Sequence, residues 1–198
     1  ETLTLDLDAR RLDASRLLST LHPTRLAGPL KLGLGAQRQQ VSMVLKDAQF
    51  TLLADAEHAA DAITVKRLEL ASGDAQLLAS GMLRLTEEKA FSAKGELRQF
   101  DPSRFASLPK ARINARFDTR GHITPSPVID AQIDLTDSQY AGLPLTGHGR
   151  INMAWPLIAQ ADIALAAGPN RLTAEGSFGR PQDRLKIGID APRLAPFG

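Results

Sequence analysis

The sequence predicts an all-β chain of about a dozen strands, and three observations carry that prediction. Apolar residues recur every second position through most of the chain, the signature of strands with one dry and one wet face. Gly, Pro, Asn and Asp punctuate these runs at regular intervals, as hairpin turns require. Only two short stretches, "LDASRLLSTLH" and "FDPSRFAS", break the alternation.

The opening run "TLTLDLDA" sets Leu3, Leu5 and Leu7 against Thr4, Asp6 and Asp8. Further runs begin near Leu30, Val41, Phe50 and Ile63. In "ITVKRLELA" the dry parity changes between Val65 and Leu68, which predicts a bulge at Lys66–Arg67. The run from Ala75 carries Leu77 and Leu83 on its dry side, and the run from Phe91 carries Leu97. "ARINARFD" opposes Ala111, Ile113, Ala115 and Phe117 to Arg112, Asn114, Arg116 and Asp118. "IDAQIDLT" contributes Ile129, Ala131, Ile133 and Leu135, and the run from Leu145 contributes Ile151 and Met153. The run from Ile158 holds Ile163 and Leu165, that from Asn170 holds Leu172 and Phe178, and "LKIGIDA" ends the series with Leu185, Ile187 and Ile189.

The two exceptions each start with an Asp suited to cap a helix, Asp13 and Asp101, and the second has Pro102 at the first helical position. One or two turns of helix are expected at each. Small residues recur near mid-strand on the dry face: Ala79 and Gly81, Ala93 and Gly95, Gly147 and Gly149, Ala174 and Gly176. Glycine weakens a strand unless the sheet bends or something approaches closely, so the series predicts a crease across many strands.

The chain also repeats itself. The Asp of the second helical phrase follows that of the first by 101 − 13 = 88 residues, and "SGDAQLLASGML" matches "AGPNRLTAEGSF" with Gly81 over Gly176, 176 − 81 = 95 residues apart. Units at residues 1–98 and 99–192, with the start of a third at 193–198, are expected within one continuous sheet.

Composition removes several function classes. Of 198 residues, 43% are hydrophobic but only 5% aromatic, so Leu, Ala, Ile and Val supply most of the buried surface. Net charge is only +2 and the signs are interspersed, which argues against a nucleic-acid partner. With no cysteine there is neither a disulfide nor a thiolate metal site. No apolar run approaches a membrane span of roughly 18 residues. The missing initiator Met suggests a fragment, with any targeting signal or anchor outside it.

No catalytic constellation is legible. His22, His58, His122 and His148 are far apart, without metal-ligand spacing, and read as solvated or locally bonded. "GHG" at Gly147–Gly149 lacks the strand-to-helix context of a phosphate loop. The carboxylate pairs Asp6/Asp8 and Asp130/Asp134, and cations such as Arg84, Lys94, Arg112 and Arg116, lie on wet faces, where solvation denies them a perturbed environment. Neither a metal nor any other cofactor is expected.

"LRQFDPSRFASLPKARINARFDTRGHI", "AQIDLTDSQYAGLPLTGHGRINM", "ADIALAAGPNRLTAEGSFG" and "DRLKIGIDAPRLAPF", in that order, resemble the TamB-like proteins of the wider AsmA-like group. TamB is the large subunit of the bacterial translocation and assembly module. The resemblance is clearest from Leu97 to Gly198. It implies a periplasmic β-sheet folded lengthwise into an apolar trough, the β-taco, in a parent protein anchored in the inner membrane of a Gram-negative bacterium. The implied activity is passive conduction of phospholipid between inner and outer membranes beside a BamA-like, TamA-like barrel partner, the membrane contacts lying in parts outside this sequence. No catalytic residue is implied, and the groove lining maps onto the dry-face positions named above, from Leu3 to Ile189.

Three other readings stay open: a chaperone-like module for outer-membrane protein assembly, a structural or adhesive β-solenoid, and a ligand-binding β-barrel or sandwich enzyme. The solenoid would show coil repeats of roughly 20–30 residues, which are not found. The enzyme would need a convergent polar cluster.

Overall fold

A computed structural model describes residues 2–16, 19, 20 and 22–195. Thirteen strands follow one another along the chain. They are β1 (Thr2–Leu12), β2 (Leu26–Gly35), β3 (Arg38–Lys46), β4 (Thr51–Ala59), β5 (Ala62–Ser72), β6 (Ala75–Arg84) and β7 (Ala90–Phe100). After the second long connection come β8 (Ala111–His122), β9 (Val128–Tyr140), β10 (Leu143–Ala154), β11 (Leu157–Ala167), β12 (Asn170–Phe178) and β13 (Leu185–Asp190). All belong to one antiparallel sheet in sequential order, open and curled, with β1 at one end and β13 at the other.

Tight hairpins make this order possible. The Ala141–Gly142 turn has positive φ at both residues (50° and 77°), the primed geometry whose twist matches the flanking strands. The bulge expected in "ITVKRLELA" is present: the β5/β6 register shifts between Val65 and Leu68, so Lys66 and Arg67 are the extra residues.

The two helical phrases each contain a single 3-10 turn, the lower end of the one or two turns expected, at Ala14–Arg16 and Pro102–Arg104. Local hydrogen bonding fixes both turns. Asp13 Oδ1 accepts from the Ser15 amide (3.1 Å), the Ser15 hydroxyl (2.8 Å) and the Thr24 amide (3.0 Å). Asp101 Oδ1 accepts from the Ser103 amide (3.1 Å), the Ser103 hydroxyl (2.7 Å) and the Ala111 amide (3.1 Å). In both phrases one carboxylate ties the start of the connection to the residues that lead into the next strand. Two residues upstream, Arg11 and Gln99 both take positive φ (57° and 48°). The missing proline at Ala14 therefore changes nothing in the cap. Leu17, Leu18 and Leu21 of the first phrase, and Pro196 of the third, lie outside the described residues.

Six strands, β2 to β7, separate the two turns, and six more, β8 to β13, follow the second. Because the number is even, both turns stand on the same long edge of the sheet. The chain from Asp101 to Lys110 folds back along that edge. Arg104 Nη1 donates to Ser72 Oγ (2.7 Å), which donates to the Gln49 carbonyl (2.7 Å). Phe105 meets Phe50 edge-on at 5.2 Å and stacks on Phe100 at 5.4 Å, and its carbonyl accepts from the His22 amide (2.6 Å). This strap joins the β1–β2, β3–β4 and β7–β8 connections.

The packed core is small. Among the described apolar residues, those less than a tenth exposed are Leu26, Leu45, Ala75, Ala111, Ala115 and Ala161. A sandwich of two sheets would bury large side chains along its whole inner face. Twelve inter-strand steps of about 4.8 Å span roughly 55–60 Å along the stacking axis, so the radius of gyration should exceed the roughly 16 Å of a compact chain of this length. Small-angle scattering at the compact value would contradict the open sheet.

Candidate functional site

Strand register sorts the side chains into rows that run across the sheet. One row reads Leu7, Leu30, Met43, Ala54, Leu68, Ala79, Gly95, Phe117, Ile133, Gly149, Ile163, Ala174 and Ile187. It crosses every strand without a polar side chain. The next reads Leu5, Leu32, Val41, Ala56, Val65, Gly81, Ala93, Thr119, Ala131, Ile151, Ala161, Gly176 and Leu185, with Thr119 its one hydroxyl. Toward the strapped edge, Leu45, Leu52, Leu70, Leu77, Leu97, Ala115, Leu135, Gly147, Leu165, Leu172 and Ile189 form a third. Toward the opposite edge a fourth runs Leu3, Leu34, Gln39, His58, Ile63, Leu83, Phe91, Gly121, Ile129, Met153, Ile158 and Phe178.

The dry-face residues named from sequence fall on these four rows, except Ile113, which pairs with Phe100 beyond the β7/β8 bulge, and Ala111, which pairs with Tyr140 beyond the β8/β9 bulge. Strands β2 to β4 add members that alternation alone did not single out, among them Leu32, Met43 and Leu52. The signal was present in "PLKLGLG" but blurred in β3 and β4, where Val44-Leu45 and Leu52-Leu53 put apolar residues on both faces. Small residues thin the two central rows where bulky neighbours lie close. A Cβ on Gly95 would fall 2.6 Å from the Phe117 ring. That ring covers the backbone in place of a side chain.

The apolar rows remain partly open to solvent: Ile133 is 37% exposed, Leu172 39% and Ile189 73%. One polar pair interrupts them. Gln39 Nε2 donates to the Gly35 carbonyl (3.1 Å), which leaves its Oε1 to accept from His58 Nδ1 at 2.6 Å. His58 is thus locally bonded, but within the apolar face.

The other face is charged. Lys94, Asp118, Gln132, Arg150, Asp162, Glu175 and Lys186 form one of its rows. Glu57 lies 3.1 Å from Arg38 and 2.5 Å from Lys66, and Arg120 lies 2.7 Å from Asp130. Hydrogen bonds from Lys66 and Gln40 hold the Glu57 carboxyl below its usual range, and one from Arg98 does the same for Glu96. These solvated pairs add little stability individually. A concavity of about 840 Å³ is on this face, between Lys66 and Asp134, and its carboxylates and cations largely neutralise one another. Elsewhere on the sheet His148 lies 3.3 Å from Asp162, and His122 Nδ1 contacts the Thr124 carbonyl at 3.0 Å. Among the described residues no group of three or more His, Asp or Glu could hold a metal ion.

An open sheet with one continuous apolar face and one charged face is thus the arrangement to be compared with known proteins. The family model of the TamB N-terminal domain matches residues 30–197. The chain belongs to that family. The match extends into the first half of the chain, well before Leu97. No curated protein and no solved structure matches the chain. The TamB family belongs to a transport and assembly module of Gram-negative bacteria and is periplasmic and anchored in the inner membrane. No described helix of this chain is long and apolar enough to cross a membrane.

Proposed function

We propose that the apolar face is a track along which phospholipid acyl chains pass between inner and outer membranes. The observation that carries this reading is the row from Leu7 to Ile187, apolar at all thirteen strands while its members stay partly exposed. A closed core would hide such a row, whereas a lipid track needs it reachable along its whole length. Acyl chains gain about 0.8 kcal/mol per methylene removed from water, so a continuous apolar row offers many nearly equivalent positions with no deep trap. The charged face keeps the outside of the sheet soluble. The residues from Leu3 to Ile189 are the groove lining in this reading, and neither catalysis nor a cofactor is needed for passive movement. The repeats take the same place in it: units at 1–98 and 99–192, each with one Asp-x-Ser turn and the strands that accompany it, and the start of a third at 193–198, lengthen the track without changing its section. In the parent protein, parts outside this sequence reach the membranes and a BamA-like barrel.

Native mass spectrometry of the chain purified from a bacterial periplasm tests the reading. Co-purified phospholipid is expected, released by detergent. Lipid-free protein that also fails to take up phospholipid from vesicles contradicts it.

A further inference from the structure

Beneath the strap lies a cavity of about 530 Å³, on the apolar side of the sheet. Its apolar walls are Leu26, Leu52, Leu70, Phe50, Phe100 and Phe105. We propose that this cavity seats the end of a lipid acyl chain, which makes the strapped edge a binding station on the track; the proposal rests on the lipid-track reading above.

Three observations point to that occupant. The first is continuity, since Leu52 and Leu70 stand in the row that runs from Leu45 to Ile189 without a polar side chain. A chain laid along that row reaches the cavity without crossing a polar group. The second is the state of the polar groups around the walls. The His22 amide is taken by the Phe105 carbonyl, Asp47 Oδ2 by the Arg25 amide at 2.6 Å, and Arg104 Nη1 by Ser72. Among the described residues no buried side-chain nitrogen or oxygen lacks a partner. A headgroup or a peptide pressed between the apolar walls would lose its hydration there, which costs about 1–3 kcal/mol per group left unpaired. A hydrocarbon loses nothing. The third is size: the volume lies within the roughly 300–1,000 Å³ of small-molecule sites, in a fold whose interior would otherwise be filled at crystal-like density.

Photolabelling of the whole chain tests this. Two phosphatidylglycerol probes are used, one with a diazirine at the end of an acyl chain and one with a diazirine near the glycerol. After irradiation and digestion, the terminal probe should label the peptides of Phe50, Leu70 and Phe100–Phe105, and the glycerol-proximal probe should not. Leu70→Trp, which fills the cavity, should cut that terminal labelling by about tenfold or more while labelling around Ile133 persists. The wild-type map decides even where this variant does not fold. Labelling along the rows but not at the cavity walls overturns the station and leaves the track. Labelling nowhere removes both.

Discussion

Ile133→Asp should leave the sheet folded and strip it of bound lipid. Ile133 sits in the middle of β9, between Phe117 and Gly149 in the row that crosses every strand, with Ala131 and Leu135 on the same side of its own strand. At 37% exposure its position still reaches water. In a closed sandwich the new carboxylate would be buried without a partner, at a cost of about 3 kcal/mol or more. On an open face it stays hydrated, and the stability lost is the transfer free energy of the half-buried isoleucine, about 1–1.5 kcal/mol. Lipid binding suffers far more, because an acyl chain crossing the site must dehydrate the charge; a fall of about tenfold or more in retained phospholipid is expected. The control is the neighbouring wet-face position. Gln132 lies opposite both Asp118 and Arg150 and donates to Asp134 Oδ2 at 2.8 Å, so an added Asp there would introduce its own repulsion. Gln132→Lys avoids it and should change neither melting temperature nor lipid content. Thermal melting with native mass spectrometry separates the outcomes. Unfolding by Ile133→Asp would mean that the face is a packed core, and unchanged lipid content would mean that the track lies elsewhere.

The face on which Ile133 lies was legible in the sequence because period-two alternation is a local property. Once Leu3, Leu5 and Leu7 share a side, pleating forces β1 to follow as far as Ala9, where the register shifts. The bulge at Lys66–Arg67 was legible for the same reason, as one letter out of phase. What alternation does not contain is the partner of each strand. The strap depends on Phe105 meeting Phe50 and on a bond between the amide of His22 and the carbonyl of Phe105, residues brought together by the curl of four and six intervening strands respectively. Nor does a polar letter at a dry position announce its partner. Gln39 and His58 satisfy each other across the β3/β4 pair, a fact of register rather than of either residue. The helical phrases were legible from their capping Asp, but not what limits the second to one turn, the bond that the Ala111 amide donates to Asp101 ten residues back.

That bond gives the second large effect, a loss of stability in Asp101→Ala. The residue is buried, and its Oδ1 is the shared acceptor for Ser103 N, Ser103 Oγ and Ala111 N. Alanine removes the cap and leaves the amide of buried Ala111 unpaired, for a combined cost of about 2–4 kcal/mol. The damage extends to the strap, since the same turn aims Arg104 at Ser72 and Phe105 at Phe50. Asp101→Asn keeps an acceptor oxygen and should cost about 1 kcal/mol or less. The pair also separates charge from geometry by pH. Burial pushes the Asp101 carboxyl up, but the hydrogen bonds from Ser103 and the Ala111 amide outweigh it and, with the nearby charge of Arg104, hold the group below its usual range. A carboxyl with a depressed folded value contributes stability that is fully present above its unfolded value, near pH 3.9, and is lost as pH falls through the folded value. The gap in melting temperature between wild type and Asp101→Asn should therefore stay constant from about pH 7 to 5 and narrow below about pH 4. A gap that persists unchanged into the acid range would show that the bonds at Asp101 do not depend on its charge. Asp101→Ala melting within a degree or two of wild type would show that the turn does not hold the edge of the sheet.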